Sequence, residues 1–298
     1  MNTLLEELSV ICHTEEKVSF RKMTTLRVGG EADYVVYPDN EVALDAIMRT
    51  IKKHQMSYKV IGKGSNLLCG DGPYHGVVIR LDRYFTDFFF AGNDVTVQAG
   101  CSIIALATEA LKHGLSGLEF ACGIPATVGG TIFMNAGAYK SSMSDIVEEV
   151  FVYKDGALCW MSKEECGFDY RTSVFQKHPD WIVTAVRLHL QPKNQEEIRS
   201  LMESRRERRF ATQPLNYPSC GSVFRNPDGM NSWKLIDGIG YRGYMHGGAC
   251  VSEKHPNFIV NKGDATARDY IELVEDIQKK VFDQYGILLK TEMEKFNC

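Results

Sequence analysis

Gly117-Leu118-Glu119-Phe120-Ala121-Cys122-Gly123-Ile124-Pro125-Ala126-Thr127-Val128-Gly129-Gly130, continued by Thr131-Ile132-Phe133-Met134-Asn135-Ala136-Gly137-Ala138, is the stretch on which the architecture turns. Gly129 and Gly130 are expected where a short helix begins against something flat or charged, and a helix N-terminus suits a diphosphate. Close helix–sheet packing also demands glycine, so one such loop leaves both readings open. A second loop, Gly62-Lys63-Gly64-Ser65-Asn66-Leu67-Leu68, follows directly on a β-rich run. Its small residues let backbone N–H groups approach an anion, and Lys63, Ser65 and Asn66 add donors. It is neither a Walker loop nor a Rossmann fingerprint, since no Gly-Lys-Ser/Thr closes it and the third glycine is missing. Two such loops in adjacent domains favour a large nucleotide cofactor clasped between them.

Outward from these loops the chain reads as α+β with several small mixed sheets, without the regular βαβ series of a doubly wound domain. Helices are expected at Leu4–Ile11, Asp39–His54, Ser102–His113 with Ser102 as N-cap, Glu196–Arg209, and Thr266–Tyr285 ended by Gly286. Strands are expected at Tyr34–Tyr37, Tyr58–Ile61, Val77–Leu81, Phe88–Ala91, Val95–Ala99, Val147–Tyr153, Ile182–Leu190 and Ile287–Phe296. The segmentation that follows is 1–82, 83–205 and 206–298, with the final strand 287–298 packing back on the middle segment.

With 298 residues, 44% hydrophobic and 24% charged, the chain has the composition of a soluble globular protein of two or three domains. A net charge of −4 argues against a partner bound by phosphate neutralisation, so no nucleic acid is expected. No apolar run reaches membrane-spanning length, and Met1-Asn2-Thr3-Leu4-Leu5-Glu6-Glu7 is no signal peptide. Nine scattered cysteines without Cys-x-x-Cys read as reduced thiols of a cytoplasmic protein. With no His-Glu-x-x-His either, no metal is expected.

The chemistry points to Pro218-Ser219-Cys220-Gly221-Ser222-Val223-Phe224-Arg225-Asn226-Pro227. Prolines at both ends make it a shaped loop holding one hydroxyl, Ser222, between a glycine and an apolar pair. On its own Ser222 is a proton donor, a nucleophile or a turn cap. No Gly-x-Ser-x-Gly elbow exists and no histidine lies near in sequence, which weakens the nucleophile.

Thr25-Leu26-Arg27-Val28-Gly29-Gly30, Gly62–Leu68, Gly117–Gly137, Tyr170-Arg171-Thr172-Ser173-Val174-Phe175 and the serine loop occur in the order seen in UDP-N-acetylenolpyruvoylglucosamine reductases. So do Gly247-Gly248-Ala249, His255-Pro256-Asn257-Phe258-Ile259-Val260-Asn261 and Thr291-Glu292-Met293-Glu294. The chain resembles this family over nearly its whole length. It resembles the shorter class, because little separates the Arg171 strand from the charged helix. It departs from the common pattern at Ala126 and Lys140, where glycine is usual, and at Asp237, where glutamate is usual.

The resemblance implies non-covalent FAD in a two-part module of the vanillyl-alcohol-oxidase (PCMH) type, 1–82 and 83–205, followed by an α/β substrate-binding domain, 206–298. FAD would be held by Gly62, Lys63, Gly64, Ser65, Asn66 and Leu67, and by Gly123, Ile124, Pro125, Thr127, Gly129, Gly130, Asn135, Ala136 and Gly137. The implied reaction reduces an enolpyruvyl ether to a lactyl ether of a UDP-sugar, UDP-N-acetylmuramate, for peptidoglycan synthesis. NADPH reduces the flavin, and hydride then passes to the vinyl carbon. Arg171 would bind the carboxylate, because guanidinium pairs with it bidentately, although a strand-end arginine more commonly forms a structural salt bridge. Glu292 would stabilise the enolate and share a proton to do so, with a surface glutamate as its bland reading and Glu294 as a register alternative. Ser222 would protonate the carbon in the field of Arg225.

Tyr170, Arg209, Gln213, Asn226 and His255 would contact the substrate; His255 competes with the reading of a satisfied loop histidine. The cluster Arg205-Arg206-Glu207-Arg208-Arg209 otherwise reads as a solvated helix face. A monomer is expected. The competing enzyme is a flavin alcohol oxidase or dehydrogenase of the same fold, and the competing non-enzyme is a binding module without catalysis.

Overall fold

The computed structural model describes residues 3–298, and its chain divides into two compact units. The first contains the segment ending at Glu16, Tyr34–Lys63 and His75–Glu207; the second contains Lys17–Asp33, Gly64–Tyr74 and Arg208–Cys298.

The first unit is built on a five-stranded antiparallel sheet. Its order is Ala157–Ser162, Val147–Lys154, Ile182–His189, Asp94–Gln98 and Phe88–Ala91. Six of the eight residues of the central strand Ile182–His189 are buried, so it reads as a near-continuous β-branched run instead of alternating. In a smaller sheet Ser57–Val60 pairs in parallel with the strand Tyr74–Ile79, from Gly76 to Ile79. The helix Glu41–Lys53 is capped by Asn40, whose Oδ1 accepts from the Ala43 N–H at 2.9 Å. It buries Leu44, Ile47 and Ile51 at helical spacing in the same apolar cluster as Leu4 and Leu8 of the helix Thr3–Ile11.

The second unit carries a three-stranded antiparallel sheet, Met245–His246, Ala249–Val251 and Ile259–Asn261. Its long helix Ala267–Tyr285 starts in a capping box. The Thr266 hydroxyl accepts from the Asp269 N–H, and the Asp269 carboxylate accepts from the Thr266 N–H. Gly286, at φ 70°, ends the helix in the left-handed conformation that favours glycine. Tyr270, Val274, Ile277 and Val281 form its buried stripe, packed in one cluster with Leu26, Val28, Leu68 and Phe224, whereas Phe282 is exposed.

The α+β class and the mixture of small sheets stand, with two local corrections. Ser102 does precede its helix, Ile103–Lys112, but its side chain makes no capping bond; the Ile103 N–H donates instead to the Ala126 carbonyl. The final strand is shorter than expected, only Glu294–Phe296, and it pairs in parallel with Leu67–Cys69, not with the 83–205 segment. The backbone changes partner between residues 292 and 294, from the Val223 carbonyl to the Asn66 carbonyl, and this breaks the longer strand.

Candidate active site

The serine loop is held from two sides within the second unit. Val223 and Arg225 face the terminal segment. The Glu292 N–H donates to the Val223 carbonyl at 2.8 Å, and the Arg225 N–H donates to the Lys290 carbonyl at 2.9 Å. Phe224, between them, turns its N–H and carbonyl the other way, to Asn257. Asn257 Oδ1 accepts from the Phe224 N–H at 3.0 Å, and its Nδ2 donates to the Phe224 carbonyl at 2.8 Å. The Asn257 carbonyl also accepts from the Val223 N–H. A buried side-chain amide thus takes the place of a neighbouring strand, and Ser222 is left half-buried, next in the chain to the residue that pairs with Glu292. Glu294, the register alternative, donates its N–H to the Asn66 carbonyl instead. Asn257 sits in the run His255–Asn261, and its partner Phe224 is 33 residues away, so local sequence carries no signal for that pairing.

The same unit brings the 64–67 loop against the serine loop. The Thr25 hydroxyl donates to the Ser219 carbonyl at 2.7 Å, and its N–H donates to the Gly64 carbonyl. Gly221 sits at φ 80°, where a Cβ would be 4.0 Å from the Ser65 carbonyl oxygen. Asn66 anchors the terminal segment through a bond from Nδ2 to the Glu292 carbonyl at 3.1 Å. Leu67 is a buried strand residue.

Along this turn, the N–H groups of Gly62, Lys63, Gly64 and Ser65 donate to no described protein acceptor. Consecutive, half-exposed backbone donors suit a diphosphate, so these residues fit the implied FAD. Lys63 Nζ lies 3.6 Å from Asp82 in the first unit, where a Cβ on Gly62 would sit 2.3 Å from Thr127 Oγ1.

The helix Val128–Phe133 corrects the expectation for Gly129 and Gly130. Its first N–H groups are already taken. Val128 donates to Cys101 O, Gly129 to Ala99 O at 2.7 Å and Gly130 to Thr127 Oγ1. Gly129 serves close packing, since a Cβ there would lie 2.9 Å from Ala99 Cβ. Gly123, Ile124, Pro125 and Ala136 line the same loop. Asn135, buried at φ 41°, donates from Nδ2 to the Asp169 carbonyl and accepts at Oδ1 from the Ser144 N–H. Lys140, where the family commonly has glycine, is at φ 66°, a conformation that costs a non-glycine residue about 1–2 kcal/mol.

Arg171 belongs to this first unit. It sits at φ 54° with Nη2 donating to the Gly137 carbonyl at 2.7 Å and its guanidinium carbon 5.1 Å from the ring of exposed Tyr170. Arg205, from the basic cluster, lies over the Tyr139 ring at 4.9 Å.

The remaining expected contacts are in the second unit, and of them Gln213 lines a cavity of about 470 Å³ together with Asn216, Tyr217, Glu253, Lys254 and Lys262. Gln213 Oε1 and His255 Nδ1 are buried polar atoms without a hydrogen-bond partner among the described residues. Burial lowers the His255 pKa from the usual histidine value. Lys262 Nζ lies 4.0 Å over the Tyr217 ring. Asn226 accepts at Oδ1 from the Ser232 N–H, and the Arg209 carbonyl accepts from the Gln213 N–H. All nine cysteines are free thiols, and no group of three metal-ligating side chains occurs among the described residues. No described helix is long and apolar enough to cross a membrane.

Comparison with known proteins gives two domain matches. Residues 32–162 match an FAD binding domain, and residues 213–296 match the UDP-N-acetylenolpyruvoylglucosamine reductase C-terminal domain. The chain is 44% identical over 297 residues to the UDP-N-acetylenolpyruvoylglucosamine reductase of Anoxybacillus flavithermus, covering 99% of this chain and 98% of that protein. It is 43% identical over 272 residues to that of Bacillus subtilis, covering 91% and 90%. The crystal structure of UDP-N-acetylenolpyruvylglucosamine reductase from Thermus caldophilus superposes with a TM-score of 0.83 at 38% identity, covering 96% of this chain and 99% of that one.

Proposed function

The chain belongs to the UDP-N-acetylenolpyruvoylglucosamine reductase family, and from that premise we propose that it reduces UDP-N-acetylglucosamine enolpyruvate to UDP-N-acetylmuramate with NADPH, in the cytoplasm and as a monomer. FAD, when bound, supplies the hydride it has taken from NADPH. The N–H groups of Gly62–Ser65 with Lys63 would hold its diphosphate, and the Gly123–Gly137 loop would hold the rest.

The protein's own work is to bind a carboxylate, stabilise added charge and deliver one proton. Arg171 binds the substrate carboxylate, whose negative charge grows as the enolate forms. Glu292 stabilises the enolate as a hydrogen-bond donor and therefore carries a proton in the complex. Ser222 gives its hydroxyl proton to the enolate carbon, and Arg225 stabilises the alkoxide left behind. Tyr170, Arg209, Gln213, Asn226 and His255 position the nucleotide sugar. The buried, unpartnered oxygen of Gln213 and nitrogen of His255 are what a polar ligand would satisfy.

The observation that carries this reading is the Glu292–Val223 backbone bond. It ties the segment that carries the carboxyl to the residue that follows the hydroxyl, which supports the two acting on one substrate. An anaerobic two-step titration tests it. In Ser222→Ala, NADPH should still bleach the flavin while the enolpyruvyl nucleotide sugar fails to restore its colour. Normal turnover in that variant would sink the assignment.

A further inference from the structure

We propose that Gln176 is a positioning residue that ties the Arg171 backbone to Phe133, at the end of the helix Val128–Phe133. The inference rests on the reading of Arg171 as the carboxylate ligand. Tyr170 and Arg171 form the tip of a turn closed by reciprocal bonds at 3.0 Å, Asp169 N–H to Thr172 O and Thr172 N–H to Asp169 O. Arg171 is left-handed there, a conformation that costs a non-glycine residue about 1–2 kcal/mol unless something holds it. The primary amide of Gln176 has two N–H bonds, and both are used. Nε2 donates to the Arg171 carbonyl at 3.0 Å and to the Phe133 carbonyl at 3.0 Å.

Phe133 is the last residue of the helix Val128–Phe133, whose end leaves carbonyls without intrahelical partners. Ser173 Oγ donates to the same carbonyl at 2.7 Å. Four residues past Phe133 comes Gly137, whose carbonyl holds the Arg171 guanidinium. Arg171 is therefore gripped at both ends by the segment 133–137, its backbone through Gln176 on Phe133 and its head by Gly137. An arginine that must meet a carboxylate bidentately gains from this rigidity, because a displacement of about 1 Å costs on the order of 100-fold in rate.

The test compares half-reactions in the FAD-loaded enzyme. Gln176→Leu keeps the side-chain bulk and removes both donors. It should slow flavin reoxidation by the enolpyruvyl nucleotide sugar about 10- to 100-fold and weaken calorimetric binding of that substrate to the oxidised protein. NADPH reduction, the flavin spectrum and the thermal midpoint should stay near the parent. Gln176→Lys, which restores a terminal donor, should recover most of the loss. In an Arg171→Ala background, Gln176→Leu should add no further effect. Equal slowing of both half-reactions, loss of flavin, or full additivity with Arg171→Ala would overturn the proposal and make Gln176 a general brace. Unchanged reoxidation in Arg171→Ala alone would instead remove the premise about Arg171, a result separable from the behaviour of Gln176.

Discussion

Replacing Asn257 by leucine should loosen the serine loop more than any nearby surface change. The side chain is buried, 4% exposed, and both of its polar atoms bond to one residue, Phe224, itself 1% exposed. Leucine is close in size, so no large cavity forms, and the loss is that of two hydrogen bonds. It leaves a buried N–H and a buried carbonyl orphaned, at about 1–3 kcal/mol each, or roughly 2–6 kcal/mol in all. Urea unfolding of parent and variant at pH 7.5 measures this directly.

The pair Asn257→Leu and Asn257→Asp sharpens the test. Aspartate can still accept from the Phe224 N–H but, when ionised, cannot donate to its carbonyl, so burial and that carbonyl favour the protonated form. A carboxyl whose folded pKa is raised contributes stability at low pH that is lost as pH rises through the folded value. The deficit of Asn257→Asp should therefore shrink as pH falls from 7 to 5. A change below about 0.5 kcal/mol for the leucine variant, the scatter of ordinary surface substitutions, would refute the claim that Asn257 substitutes for a strand.

Gly62→Ala should lose FAD on gel filtration, since the added methyl would enter the space of Thr127 Oγ1, which caps Gly130; retention equal to the parent would count against that contact. Stability should fall as pH drops below about 6.5, because the unfolded chain protonates His255 near its ordinary value while burial keeps the folded imidazole neutral. His255→Gln should flatten part of that dependence in urea midpoints taken from pH 7 to 5, and an unchanged slope would contradict it. A thiol reagent at pH 8 should modify exposed Cys159 and leave Cys101, Cys166 and Cys220, whose pKa values burial pushes to about 11, 12 and 11. Native labelling of Cys220, read by mass spectrometry, would contradict its packing against the Tyr270 hydroxyl at 3.0 Å.

The parts of the molecule that could be read in the sequence are those governed by local chemistry. The helix start at Thr266, the stop at Gly286 and the apolar spacing of Glu41–Lys53 depend on residues a few positions apart. The glycine loops and the pinned serine were visible for the same reason. What escaped depends on partners far along the chain. Asn257 and Gln176 look like ordinary polar loop residues until Phe224 and Phe133 lie beside them. The N-terminus of Val128–Phe133 misled because sequence shows which N–H groups exist, and only the fold shows that Cys101 and Ala99 already accept from two of them. The terminal strand was misjudged in length because its hydrogen-bond partner changes midway.

The make-up of the second unit also governs how it must come into being. Its apolar cluster unites Leu26, Val28 and Leu68 with Phe224, Val274 and Met293, and Gly70 donates its N–H to the Phe296 carbonyl. Closing contacts across more than 220 residues is entropically slow. During synthesis the early pieces must therefore wait, incomplete, until the last strand leaves the ribosome. A fragment cut to Arg208–Cys298 would lack three members of its own core, so the unit resists excision as a free-standing module.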